Sequence, residues 1–257
     1  VSRSEAFKRP LIIAHRGASH DAPENTLAAF RLAWDQGADG IEGDFRLTRD
    51  AQFVCLHDDN TARTTGQDIV CAEAEFEELQ RLDAGAWKGP SWHSERIPTL
   101  GQVLATAPPG KRVFIELKGG LEIVPPLMDA LQSVRRPLAE LAAMSFDEQV
   151  VAAIKQQQPK LPVYWLVSFE DLQSSGEPAP SARTLMETAR RLRADGLGCQ
   201  DHAAIDTGFT AVLRMAMLPL HIWTINDARA ARRYASLGAA SLTTDRPAWL
   251  KQQLQVR

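Results

Sequence analysis

Short apolar runs recur along this chain at the spacing of a repeated strand–helix unit, and that rhythm restricts the fold more than any single residue does. The runs lie at 11–15, 40–46, 112–118, 141–145, 162–168, 195–199, 220–225 and 240–244. They are short and largely apolar, as buried strands are. Patterns of helical length separate them, among them 147–157, 182–193 and 227–236. Residues 23–36 read as another helix. Pro23 suits a first turn, Leu27, Phe30 and Trp34 recur at i, i+3 and i+7, and Gly37 follows as a stop. A further helix is expected from about Thr99. Such alternation favours parallel strands, because each helix carries the chain back along the sheet. The eight starts predict an α/β fold of the (β/α)8 TIM-barrel type. A doubly wound open sheet is the competing architecture, and no G-x-G-x-x-G follows any of the runs to support it.

One stretch breaks the rhythm. An extended segment, 53–57, follows the "TRDA" turn, and residues 58–97 come after it. That is too long for a βα loop. It carries Phe76, Trp87 and Trp92 among turn residues, and reads as a small cap inserted into a single domain spanning residues 1–257.

Composition excludes several classes. A formal net charge of −3 with no basic block argues against a nucleic-acid partner. No apolar run approaches the roughly 20 residues that cross a bilayer, so stable membrane insertion is not expected. The first residues, "VSRSEAFKRP", lack the apolar core of a secretion signal, although a start at Val leaves room for a leader already removed. Cys55, Cys71 and Cys199 are odd in number and lack metal-like spacing, which reads as reduced thiols in a cytoplasmic protein. Oligomeric state has no sequence signature here.

In a barrel the C-terminal strand ends face the active site. The first strand here ends in His15-Arg16, the second carries Glu42-Gly43-Asp44, the segment after it ends in His57-Asp58, and the next barrel strand ends in Glu116-Leu117-Lys118. Glu42 and Asp44 share a strand face, as do Glu116 and Lys118, because side chains alternate with period 2. Three converging carboxylates repel unless a cation binds them, and oxygen ligands favour Mg²⁺ or Ca²⁺ over zinc. Arg16 and Lys118 could then hold a phosphate, and His15 with His57 could exchange protons near neutral pH. Each element alone has a plainer meaning: an E-x-D pair on a strand is usually a solvated face, and a lone His or Lys at a strand end usually a structural or surface residue. Their convergence at one barrel end carries the functional reading. His20, His93, His202 and His221 are read as loop or structural residues, and Trp34 as core.

With those residues in view, the sequence resembles the glycerophosphodiester phosphodiesterase family. "AHRGASHDAPENTLAAF" resembles its opening signature and "GADGIEGDFRLTRDAQFVCLHDD" its second block; "RIPTLGQVL", "FIELK", "WTIN" and "TTDRP" resemble later ones. The likeness runs from about Leu11 to Pro247, and the short cap with "LDAGAWKG" looks most like small cytosolic bacterial members. The resemblance implies a TIM barrel that uses a divalent cation to hydrolyse glycerophosphodiesters to sn-glycerol 3-phosphate and an alcohol. It implies Glu42, Asp44 and Glu116 as metal ligands, His15 and His57 as the acid–base pair, and Arg16 and Lys118 as phosphate contacts. Glu24, Asn25, Trp223 and Asn226 are expected near the substrate. Two positions depart from the family pattern. Gly43 replaces a usually bulky residue and is expected to loosen its strand, and Ala51 stands where the turn often has Gly. The rival readings are a lysophospholipase D or sphingomyelinase D-like activity, marked by an apolar acyl-chain groove near the cap, and a catalytically silent binding barrel. A barrel aldolase or isomerase lacks support beyond Lys118. The choice between attack by water and a cyclic phosphate stays open, as does which histidine is the acid.

Overall fold

The computed structural model describes residues 9–170 and 179–255; the first eight residues of the N-terminal stretch discussed above lie outside it. Strands β1 (Leu11–His15), β2 (Gly40–Leu47), β3 (Phe53–Cys55), β4 (Arg112–Leu117), β5 (Leu141–Ser145), β6 (Val163–Val167), β7 (Gly196–Gln200), β8 (Leu220–Trp223) and β9 (Ser241–Thr244) form one sheet. Eight of them are parallel, and β1 pairs with both β2 and β9, which closes the ring. The expected (β/α)8 barrel is the observed fold. The exception is β3, which pairs antiparallel with the last residues of β2, Phe45 to Leu47. The segment read as 53–57 is therefore a hairpin arm on an over-long β2 and not a barrel strand.

Alternation along the strands sorts side chains into two sets. One set faces the helices: Ile12, Ala14, Ile41, Val113, Ile115, Leu197, Cys199, Ile222 and Leu242 belong to the large outer core. The other fills the barrel. Phe114, Tyr164 and His221, from alternate strands, meet with ring centroids 5.8, 5.7 and 4.1 Å apart, and Ile13 joins the same apolar cluster as Phe114 and Tyr164. These four make a plug of the kind that stacks in layers inside such barrels. Glu42, Asp44, Glu116 and Trp223 lie on the same inward rows, one or two steps nearer the strand C-termini. Parity and strand direction therefore carry the polar residues to one end.

The first helix, α1 (Leu27–Asp35), is shorter than the predicted 23–36. Thr26 is its N-cap, accepting from the Ala29 N–H, and Asn25 before it has φ 58°. A residue in the left-handed region cannot lie within an α-helix, so the apparent first turn is a loop. Periodicity could not reveal this, because Glu24 and Asn25 are held by site residues, Arg16 and Asp44.

The cap after β3 has its own apolar cluster, including Val54, Leu56, Cys71, Leu79, Leu82 and Ile97, with Phe76 packed against it. It includes the one-turn helix α2 (Ala62–Thr65). Asp83 accepts from the backbone N–H groups of Gly85, Ala86 and Ser94, which fixes the chain that presents Trp87.

Gly43 does not leave β2 loose. A Cβ there would lie 3.1 Å from both Cys55 Sγ and Phe30 Cζ, so α1 and β3 already fill the space. Ala51 does bear strain, with φ 57° in the turn between β2 and β3. An L-residue there costs about 1–2 kcal/mol. Ala51→Gly relieves this while adding unfolded-chain entropy worth about 0.4–1 kcal/mol. The variant is expected to be at least as stable as the parent, by up to about 1 kcal/mol, or roughly 2–4 °C in Tm for a domain of this size; calorimetry checks it.

Candidate active site at the barrel mouth

Glu42, Asp44 and Glu116 meet at the mouth, each offering one carboxylate oxygen within 4.8 Å of the others. Glu42 and Asp44 are 2% and 1% exposed, too deep for water to screen their repulsion. Arg16 and Lys118 answer part of it. The Arg16 Nε lies 3.1 Å from Asp44 Oδ2, and Lys118 Nζ lies 3.1 Å from Asp44 Oδ1 and also pairs with Glu116. Asn25 Nδ2 donates to Asp44 Oδ2 at 2.9 Å, and the Arg16 backbone N–H donates to Glu42 Oε2 at 3.0 Å.

The balance is uneven. Burial would raise Asp44, but Lys118 and Arg16 outweigh it and hold this carboxyl far below the usual range. Burial and the Asp44 charge push Glu42 well up, and the same two causes raise Glu116. The Glu42 Oε1 is buried with no partner among the described residues. An orphaned acceptor beside two further oxygens is a donor set that fits a hard divalent cation.

Two histidines flank this set, each backed by a carboxylate. His15 Nδ1 lies 2.7 Å from Asp245 Oδ1, and His57 Nδ1 lies 2.7 Å from Asp58 Oδ1. Burial works against protonation at His15, yet the Asp245 hydrogen bond and the Glu42 charge raise it on balance. Burial prevails at His57 and lowers it. Both rings share a cavity of about 230 Å³ with Arg16, Glu42, Glu116 and Lys118. The rest of its lining is largely apolar and includes Phe114, Met144, Phe146, Leu166 and Trp223.

The remaining sequence-predicted residues divide. Trp223 lines the cavity, its indole N–H donating to Gly198 O and its ring edge-on to Phe146. Asn25 is buried against Asp44, where it also accepts from the Cys55 thiol. Glu24 accepts from Arg16 at 2.8 Å and from Arg63 in the cap. Asn226 is not brought to the cavity wall. Its amide donates to Asp245 at 2.5 Å, and its carbonyl accepts from Thr244 Oγ1 and the Asp245 N–H. His221 is packed between Tyr164 and Phe114 with Nδ1 2.7 Å from Ser241 Oγ, and its burial pushes it down to about 3.

Sequence reasoning passed over three residues. Asp245, in "TTDRP", backs His15; its signal was a strand-end acid after the last barrel strand. Arg46 donates twice to the His57 carbonyl, at 3.0 and 2.8 Å; it sits at i+2 from Asp44, so period 2 could have found it. Arg63 links Asp58, at 2.6 Å, to Glu24, at 2.8 Å. Nothing in its local sequence marks it.

The fold and its charged mouth define the class: a TIM-barrel enzyme. The sequence profile of the glycerophosphoryl diester phosphodiesterase family matches residues 15–249. The chain is 34% identical over 244 residues to Bacillus subtilis YhdW, whose name assigns it provisionally as a glycerophosphodiester phosphodiesterase; 92% of this chain and 94% of that one are covered. A second Bacillus subtilis protein, named glycerophosphodiester phosphodiesterase, is 27% identical over 258 residues, covering 93% of this chain and 84% of its own. An Oleispira antarctica phosphodiesterase, solved in complex with the product sn-glycerol-3-phosphate, superposes with a TM-score of 0.83 at 29% identity, over 96% of this chain and 97% of that one. The chain belongs to the glycerophosphoryl diester phosphodiesterase family.

The Asp245 carboxyl is a stability element as well as a support for His15. Burial would raise it, but His15, Asn226 and Ser19 hold it at about 2. A depressed carboxyl contributes stability above its unfolded value, near 3.8, and loses it as pH falls toward the folded value. The parent is expected to be more stable than Asp245→Asn by about 1–2 kcal/mol near neutral pH. That advantage should shrink between about pH 4 and pH 2, as read from denaturant midpoints across pH.

Proposed function

We propose that the protein is a metal-dependent phosphodiesterase whose single domain, with the cap at 58–97, carries the whole site. It hydrolyses glycerophosphodiesters to sn-glycerol 3-phosphate and an alcohol. The observation that carries this reading is the buried carboxylate trio, with its unpartnered Glu42 Oε1, two members of which, Glu42 and Glu116, line one cavity with two cationic side chains and two carboxylate-backed histidines. Glu42, Asp44 and Glu116 would hold the cation, and the all-oxygen donor set suits Mg²⁺ or Ca²⁺. When bound, it supplies charge neutralisation at the phosphate oxygens.

The chain's own groups do the rest. Arg16 and Lys118 bring N–H donors and positive charge to the same wall, where anionic oxygens gather negative charge as the bond breaks. In both histidines Nδ1 is occupied by a carboxylate, which leaves Nε2 as the nitrogen that exchanges protons with substrate. One histidine takes the proton of the attacking hydroxyl and the other delivers one to the leaving oxygen. Asp245 and Asp58 fix the ring orientations. Glu24, Asn25 and Asn226 act one step back: Glu24 orients Arg16, Asn25 orients Asp44, and Asn226 orients Asp245. Trp223 forms part of the apolar wall.

Release of sn-glycerol 3-phosphate from glycerophosphocholine, followed by a coupled assay, tests the reading. Activity is expected with Mg²⁺ or Ca²⁺, to disappear in excess chelator and to return on adding the ion. Faster turnover of lysophosphatidylcholine would replace the reading with a lysophospholipase D, and full activity without metal would remove the cation from it. The cleft beside the cap is largely polar, so the lysolipid is expected to be poor.

His15→Ala and His57→Ala are each expected to lower kcat by about 10²–10⁴-fold, the range for a lost general acid or base. Each should also flatten one limb of the pH–rate profile. A variant that keeps parental kcat loses its place in the mechanism.

A further inference from the structure

We infer that Lys88 selects the leaving alcohol, favouring alcohols that carry hydroxyl or anionic groups over those that carry a quaternary ammonium. The inference rests on the phosphodiesterase reading and adds a substrate class to it. A second, more open cleft of about 480 Å³ shares His15 and Arg16 with the main cavity and continues outward past Ser19, His20, Trp87 and Lys88. The two spaces meet at the phosphate-handling residues. The inner cavity, smaller at about 230 Å³ and less open, suits the part of the substrate that never varies, the glycerol; the more open cleft suits the part that does.

The acids of this cleft are already engaged. Glu24 is held by Arg16 and Arg63, and Asp245 by His15, Ser19 and Asn226. His20 pairs with Asp21. Lys88 differs: among the described residues its ammonium has no carboxylate partner, and its hydrogen bond goes to the Ser19 carbonyl at 2.7 Å. An ammonium has three donors, so two remain for a ligand. Trp87, 41% exposed, supplies the indole face that would ordinarily attract a quaternary ammonium. Here the Lys88 Nζ lies 5.4 Å from that ring's centroid and occupies the cation position. A choline headgroup would meet like charge at the Trp87 indole, whereas a polyol or an anionic group would meet two N–H donors.

The test compares kcat/KM for glycerophosphoglycerol and glycerophosphocholine in the metal-loaded enzyme. The parent should favour glycerophosphoglycerol by about tenfold, the size of one partly exposed charge contact. Lys88→Met should bring the ratio toward one, Lys88→Glu should reverse it, and Lys88→Arg should keep it. Using the ratio cancels any loss common to both substrates, including one caused by releasing the Ser19 carbonyl. A parent that prefers glycerophosphocholine, or a ratio unmoved in Lys88→Glu, overturns the inference. Failure of the parent to hydrolyse either compound overturns the phosphodiesterase reading instead.

Discussion

The mutual repulsion of Glu42, Asp44 and Glu116 is the constraint around which the mouth of this barrel is arranged. Their oxygens lie within 4.8 Å of one another and out of water, where like charges interact far more strongly than at a surface. Arg16 and Lys118 spend their charge on Asp44 and Glu116. Placing Arg16 there requires unusual backbone: both Arg16, φ 53°, and Asn25, φ 58°, lie in the left-handed region, at a cost of order 1–3 kcal/mol each. The Asn25 N–H donates to the Arg16 carbonyl, so the two strained residues support each other. Gly17 completes the turn, since a Cβ there would lie 2.6 Å from the Ala29 carbonyl carbon in α1.

The same economy extends into the cap. Arg63 joins Asp58, which orients His57, to Glu24, which orients Arg16. The insertion therefore supplies a member of the charge network and does not merely shelter it. Arg46, from the over-long end of β2, grips the His57 carbonyl and ties the hairpin to the barrel. His15 is held by the strand end after β9 and His57 by the segment after β3.

Much of this was legible in the residues. Strand–helix alternation predicted the barrel because closure follows from local pattern and strand count. Period 2 placed Glu42, Asp44 and Glu116 on inward rows, and strand direction put His15 and Lys118 at the same end. Two of the three residues that sequence reasoning passed over make contacts far apart in the chain. Asp245 reaches His15 across 230 positions, and Arg63 reaches Glu24 across 39. No periodicity encodes such meetings. The early helix start failed for a related reason, because in what looked like a first turn Asn25 holds Asp44 and Glu24 holds Arg16 and Arg63. Asn226 was expected near the substrate by its place in "WTIN", yet both ends of its amide are committed to the strand end beside it.

The inward rows also divide each strand by duty. Nearer the strand N-termini they carry Ile13, Phe114, Tyr164 and His221, which interlock as a plug. Two residues further along the same rows come His15, Glu116 and Trp223, which face the cavity. Phe114 and His221 of the lower ring reach the cavity as well, so a substitution of Ile13 or Tyr164 acts on folding and one in the upper ring on turnover, although the two lie a single pleat apart. Drift in one half can proceed while the other is held, provided no residue is inserted or lost within a strand. A one-residue slip would swap the rows, turning the ligands toward the helices and the greasy face toward the substrate. A change of length within a strand therefore reaches further than a substitution, because it reassigns every side chain of that strand at once.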